Sequence, residues 1–193
     1  MDLILASTSS YRRQLLARLQ LPVACEAPAV DETALAGEKP QSLALRLALA
    51  KAREVARRRQ QALVIGSDQV ACIGGVIRGK PGGLEAARSQ LRASSGSVVT
   101  FYTGVAVVQQ AQGIEQAATV PFNVRFRKLQ DAEIEDYLAR EQPFDCAGSF
   151  KCEGLGIALF EALEGDDPTA LEGLPLIALT RMLSQAGMPV LAA

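Results

Sequence analysis

The chain contains no histidine and no tryptophan. Without histidine, Ser-His-Asp and Cys-His catalysis, histidine-ligated zinc and an imidazole general base are all excluded. Acid–base work falls to Asp, Glu, Lys, Tyr or a metal-bound water. Cysteine is sparse: Cys25, Cys72, Cys146 and Cys152, with no CxxC pair among them. That argues against a zinc site and for free thiols in a reducing compartment. No apolar run approaches the ~18 residues that a membrane-spanning helix needs. The opening Met1-Asp2, followed by apolar residues only at 3–6, predicts no secretory signal. A cytoplasmic protein without a membrane partner is expected. Neither charge sign dominates, with Lys+Arg 20 against Asp+Glu 21 and a net charge of −1. No global basic field exists to hold a nucleic acid polymer, so a polyanion site must be local.

What is present suits one globular domain over residues 1–193, with 49% hydrophobic and 21% charged residues. Residues 3–6 read as a buried strand, followed by a hydroxyl cluster and a helix over 11–19. Residues 22–27 read as a strand. Pro40 opens a helix running to about Arg59. Residues 62–65 read as a strand ending at Gly66-Ser67-Asp68-Gln69. Residues 70–73 and 76–78 flank Gly74-Gly75 as a hairpin. A helix over 84–93 precedes two long β-rich runs, 98–108 and 118–126, joined by a loop at 109–113. A helix over 131–140, a strand over 157–163 and a helix over 174–186 complete the pattern. The mixture predicts an α/β fold on a mixed twisted sheet flanked by helices.

Several residues stand where chemistry is possible. Ser7–Arg13 lies between a strand and a helix N-terminus, where backbone N–H groups and the helix dipole favour an anion. Arg12 and Arg13 oppose that dipole in the first turn, which a bound phosphate chain would explain. A capping serine with two solvated arginines is the alternative. Gly74-x-x-x-x-Gly79-Lys80 formally resembles a phosphate-binding loop. Pro81 stands where Ser or Thr would ligate Mg²⁺, and the context is a hairpin, so that reading fails. Lys80 remains either a solvated turn lysine or a phosphate ligand. Lys51 shares a helical stripe with Leu47, Ala48 and Val55, so it either snorkels or enters a polar pocket. Asp31, Glu32 and Asp68 follow strands and are either turn residues or metal ligands. Cys152 lacks a histidine base and reads as an inert side chain. Asp166-Asp167-Pro168 reads as a turn.

Together these segments resemble the Maf family of nucleoside triphosphate pyrophosphatases over nearly the whole chain. The stretches that carry the likeness are Leu3-Ile4-Leu5-Ala6-Ser7 with Arg12-Arg13, Val30-Asp31-Glu32, Ala50-Lys51-Ala52, Gly66-Ser67-Asp68-Gln69-Val70, Gly79-Lys80-Pro81, Phe101-Tyr102-Thr103-Gly104, Cys146-Ala147-Gly148-Ser149-Phe150-Lys151 and Gly173-Leu174-Pro175-Leu176. The resemblance implies the fold of inosine triphosphate pyrophosphatases, with a deep cleft. It implies metal-dependent hydrolysis (Mg, Mn or Co) between the α- and β-phosphates and a possible homodimer. Ser7, Arg12, Arg13, Lys51 and Lys80 would hold phosphates. Glu32 and Asp68 would serve the metal and the attacking water, with Asp68 the proton acceptor.

Within the family, the positions matching Tyr11, Gln69 and Glu153 sort substrates. Gln and Glu at the last two resemble the 7-methyl-GTP branch, which has Trp where this chain has Tyr11. An aromatic face attracts the cationic methylated purine by ~0.5–2 kcal/mol, and a carboxylate balances its charge or accepts guanine N–H donors. A dTTP, UTP or other modified-nucleotide pyrophosphatase is the alternative, as is a nucleotide-sensing regulator of septum formation without turnover.

Overall fold

The computed structural model describes residues 1–191. Among the described residues, seven strands and five α-helices follow in the order β1 Leu3–Ala6, α1 Ser10–Ala17, β2 Val23–Glu26, α2 Pro40–Arg58, β3 Leu63–Ile73, β4 Val76–Arg78, α3 Leu84–Ser94, β5 Val98–Gln109, β6 Ile114–Phe126, α4 Asp131–Glu141, β7 Phe160–Glu164 and α5 Leu176–Gln185. The strands hydrogen-bond in the order β2-β1-β3-β5-β6-β7, with β4 paired to β3 off this path. The sheet is mixed, as expected: β1 runs parallel to β2 and β3, while β3–β4 and β6–β7 are antiparallel.

The chain forms two compact units. The first holds Met1–Gln69, Thr103–Val120 and residues 167–191. The second holds Val70–Tyr102 and Pro121–Asp166.

In the first unit, strand alternation sorts the core into two layers. Leu3, Leu5, Leu63, Ile65, Val105 and Val107 pack with Leu15 and Leu16 of α1 and Leu179, Met182 and Leu183 of α5. Ile4, Ala6, Val64, Ala106 and Val108 pack with Ala48, Ala52, Val55 and Ala56 of α2. Helix α2 comes unusually close to the strands. A Cβ on Gly66 would stand 2.1 Å from the Ala48 carbonyl oxygen, and one on Gly104 would stand 2.2 Å from that of Ala44. Two glycines on neighbouring strands therefore admit an alanine-lined helix face, a fit that larger residues would prevent.

The second unit is built on aromatic packing. Phe101, Phe126, Phe150 and Phe160 meet edge to face with centroids 4.8–5.6 Å apart, the arrangement that ring quadrupoles favour. Gly148 has φ +78°, and a Cβ there would lie 2.9 Å from the Phe101 ring.

Two expectations need correction. The strand expected to end at residue 65 continues through Gly66-Ser67-Asp68-Gln69 to Ile73. The polar residues that resemble a turn are satisfied by tertiary partners, so tertiary context overrides local propensity. The strand expected over 157–163 is a 3-10 segment at Leu155–Leu159, with β7 beginning only at Phe160. There Gly156 abuts the Lys151 carbonyl oxygen, 2.3 Å from an added Cβ, which marks a tight local fold rather than extended chain.

Candidate active site

The long β3 decides what Asp68 can meet. Because side chains alternate, Val64, Gly66 and Asp68 point to the α2 layer, while Ser67 and Gln69 point to the other. Asp68 therefore meets Lys51, which α2 aims inward among its alanines. Lys51 and Asp68 are buried, at 6% and 8% exposure. Lys51 Nζ donates to Asp68 Oδ1 at 2.6 Å and pairs with Glu32 Oε1, also at 2.6 Å. Glu32 reaches this ammonium from an exposed loop, so two carboxylates converge on one buried cation.

Arg12 sits beside this cluster. Ser9 caps α1 by accepting the Arg12 N–H at 3.4 Å, and the buried Ser7 hydroxyl accepts the Ser9 N–H at 3.1 Å. The serine cluster thus does act as a helix cap. The Arg12 side chain turns back: Nε donates to the Gly173 carbonyl at 2.8 Å and Nη1 to Ser7 Oγ at 3.5 Å. Desolvation holds the Arg12 guanidinium below its ordinary pKa, opposed by the negative charges of Asp68 and Glu32. Arg13 is exposed on the same turn and Tyr11 is half-buried.

The opposite layer carries a belt of polar groups, of which sequence reasoning singled out only the half-buried Gln69 as a site residue. Ser67 Oγ is shared between the carbonyls of Gly104, at 2.8 Å, and Gly173, at 3.0 Å. Gln69 Nε2 faces the carbonyls of Ala170 at 2.8 Å and Leu171 at 3.0 Å, and Thr103 Oγ1 at 3.1 Å. Asp167, read from sequence as a turn residue, is 3% exposed and has a larger task. Its carboxylate accepts the Thr169 N–H at 3.1 Å, the Thr169 hydroxyl at 2.6 Å and the Ile177 N–H at 2.8 Å, tying down the N-terminus of α5. The spacing Asp-x-Thr ahead of a helical apolar run was the available signal.

Ser7, Arg12, Glu32, Lys51, Asp68 and Gln69 thus gather in the first unit, with Tyr11 and Arg13 on the same helix as Arg12. Lys80 and Glu153 belong to the second. Lys80 is exposed in the turn after β4, where Gln90 Nε2 donates to the Gly79 carbonyl at 3.1 Å. Glu153 is exposed on a braced segment. Tyr137 Oη accepts the Lys151 N–H at 3.1 Å, and Glu141 Oε2 accepts the Leu155 N–H at 2.9 Å. Burial pushes the Tyr137 phenol well above its ordinary pKa.

A family model described as Maf-like protein matches residues 2–186. The chain belongs to the Maf family. Two relatives cover nearly all of this Maf chain. One, from Nitrosococcus oceani, is 56% identical over 189 residues, covering 98% of this chain and 95% of its own length. The other, from Polaromonas sp., is 57% identical over 190 residues, covering 98% of this chain and 87% of its own length. Both relatives are named 7-methyl-GTP pyrophosphatase. Among solved structures, the Ham1 protein of Staphylococcus aureus is similar at a TM-score of 0.47 and 13% identity, over 65% of this Maf chain and 72% of that one.

Proposed function

We propose that this Maf protein hydrolyses 7-methyl-GTP to 7-methyl-GMP and pyrophosphate. The observation that carries the reading is the buried Lys51 ammonium shared by Asp68 and Glu32, with Arg12 beside it. Buried charge is expensive to maintain for stability alone, because desolvation offsets much of the Coulombic gain. Such a cluster in an enzyme family points to chemistry on a charged substrate. The names of two relatives at 56% and 57% identity supply the substrate.

In this mechanism Arg12, Arg13 and Lys51 supply fixed positive charge to the triphosphate, and Ser7 supplies a hydroxyl. Asp68 accepts the proton of the water that attacks the α-phosphorus, and the α–β anhydride bond breaks with pyrophosphate leaving. Lys51 holds the Asp68 carboxylate in place. A divalent cation fits the residues present. Arg12 and Lys51 only balance Glu32 and Asp68, so a polyphosphate brings negative charge that these four leave uncompensated. Among the described residues no group of three or more Asp, Glu, Cys or His side chains forms a protein-only metal cage. Glu32 and Asp68 nonetheless converge as hard oxygen donors, and Mg²⁺ commonly takes one or two carboxylates with phosphate oxygens and waters. Such an ion would neutralise charge developing on the phosphoryl oxygens.

The base is discriminated by charge. Tyr11 offers a π face to the cationic methylated purine. A panel of 7-methyl-GTP, GTP, dTTP and UTP assayed for released pyrophosphate tests this. The methylated nucleotide is expected to give the highest kcat/KM. Equal turnover of GTP would remove the branch assignment, and no pyrophosphate from any member would remove the function. No helix among the described residues is long and apolar enough to cross a membrane. A cytoplasmic setting and a homodimer remain part of this proposal.

A further inference from the structure

We infer that Asp167, working with Thr169, is a positioning residue shared by Arg12 and Gln69. The inference rests on Arg12 as a phosphate ligand and on Gln69 as a residue that sorts bases. Both side chains are anchored on backbone carbonyls of one segment, the stretch between β7 and α5. Arg12 Nε donates to the Gly173 carbonyl at 2.8 Å. Gln69 Nε2 faces the carbonyls of Ala170 at 2.8 Å and Leu171 at 3.0 Å. Whatever fixes these three carbonyls therefore sets the place of the guanidinium and of the amide together.

The segment is irregular, with a short 3-10 turn at Pro168–Ala170 and a Gly173 at φ +104°, a conformation that glycine adopts readily. Without a regular ladder, its carbonyl directions depend on how its two ends are tied. Asp167 and Thr169 tie them. Asp167 Oδ1 accepts the Thr169 N–H at 3.1 Å and the Thr169 hydroxyl at 2.6 Å, and Oδ2 accepts the Ile177 N–H at 2.8 Å. Thr169 Oγ1 in turn accepts the Leu176 N–H at 2.8 Å. Two side chains at the start thus grip the backbone at the far end, and Ala170, Leu171 and Gly173 lie between. Asp167 is 3% exposed and Ala170 fully buried, so water cannot replace a lost partner without entering the core. A turn residue has no need of a buried charge, whereas three donors and the N-terminus of α5 give this carboxylate what its desolvation requires. The segment has an exposed tie as well: Arg18 Nη2 meets Glu172 Oε2 at 2.8 Å, with Arg18 54% exposed. Solvent screens such a pair. Every residue in this arrangement lies in the first unit.

The test measures kcat and KM from pyrophosphate release, with 7-methyl-GTP and with GTP. Asp167→Asn puts an amide donor where a carboxylate oxygen accepts, so at least one of the three bonds is lost. It is expected to raise KM for GTP about fivefold, the scale of one hydrogen bond, with kcat retained. It is also expected to lower the preference for 7-methyl-GTP over GTP. In the Arg12→Ala background the GTP effect should vanish, and in the Gln69→Ala background the change in preference should vanish, because each acts through one group. Thr169→Val removes the hydroxyl at constant shape and should show the same pattern, which keeps the test available if Asp167→Asn folds poorly. Thr169→Ser keeps the hydroxyl and should restore both readouts. Glu172→Gln breaks only the exposed tie and should leave both unchanged.

Four results would overturn the inference. A GTP effect that persists in the Arg12→Ala background would mean that Asp167 acts apart from the guanidinium. An unchanged preference in both Asp167→Asn and Thr169→Val would mean that the segment does not hold the Gln69 amide in its working place. A fall in kcat with KM and preference unchanged would mean lost active protein rather than a displaced site. An equal rise in KM from Glu172→Gln would mean that any loosening of the segment suffices. If Arg12→Ala leaves KM unchanged, or Gln69→Ala leaves the preference unchanged, the underlying reading of that residue fails and this inference fails with it. Those outcomes are visible separately, in the single variants.

Discussion

Helix α2 carries positive charge on two sides, and the two sides are built differently. Outward, Arg53 faces Glu115 and Arg58 faces Glu54, with the arginine side chains 48% exposed. Inward, Lys51 is 7% exposed and holds two carboxylates at 2.6 Å. Exposed pairs give roughly 0–1 kcal/mol because water and salt screen them. The inward cluster gains little net stability either, since removing charges from water costs most of what their attraction returns. The difference is what happens when one partner is taken away. Outside, solvent replaces it. Inside, a charge is left stranded, and a bound polyphosphate would find a site already organised around it.

Substitutions can break that contrast, beginning with the largest effect. Asp68→Asn keeps the shape of the side chain and removes its charge and its capacity to accept a proton. A rate loss of about 10²–10⁴-fold is expected, the scale of a general base, with folding retained by circular dichroism. Near-normal turnover would end the assignment of Asp68. Lys51→Met keeps the apolar stem and strands the buried Asp68 without its ammonium. A stability loss approaching the ~3–5 kcal/mol of a broken buried pair is expected in urea unfolding, with activity lost as well. Arg53→Ala on the outer side should cost no more than ~1 kcal/mol and leave kcat/KM unchanged. Equal losses for Lys51→Met and Arg53→Ala would show the two sides to be equivalent.

A second pair of predictions sharpens the geometry. Gly66→Ala puts a methyl 2.1 Å from a backbone oxygen of α2, and backbone cannot step aside as a side chain can. A loss of about 1–3 kcal/mol or more is expected, and activity should fall with it because Lys51 rides on the displaced helix. The smallest effect concerns the loop before α2. Glu38 is held well below its ordinary 4.5, at about 2, first by its hydrogen bond from Arg46 and then by the Leu35 N–H. A depressed folded-state value means that the stabilisation is present above pH ~4.5 and is lost as pH falls from there toward 2. Glu38→Gln should flatten that part of the stability profile. An unchanged profile would show that the Arg46 pair contributes nothing.

Much of this was legible in the sequence. Pro40 and the apolar stripe behind it mark α2 nearly to the residue. Gly74-Gly75 marks the β3–β4 hairpin, and Ser9 marks the start of α1. The stripe also put Lys51 on the apolar face, but sequence left open whether it snorkels or turns inward. The answer depends on Gly66 and Gly104, which let α2 sit close enough for the ammonium to reach Asp68. That is a long-range fit between separate strands and a helix. The same limit hid the extent of β3. Gly-Ser-Asp-Gln has turn chemistry locally, and tertiary partners, among them Lys51, Gly104, Gly173 and Ala170, satisfy it in the extended form. Asp167 was missed for a related reason, since its acceptors serve a helix that starts nine residues later.

The central claim is that the Asp68 cluster directs water to the α-phosphorus of a nucleoside triphosphate. Chromatography of the first products formed from 7-methyl-GTP tests it most directly, with the Asp68→Asn protein alongside. The account predicts 7-methyl-GMP and pyrophosphate in equal amounts before any orthophosphate, and almost no product from the variant. A nucleoside diphosphate and orthophosphate appearing first would contradict it.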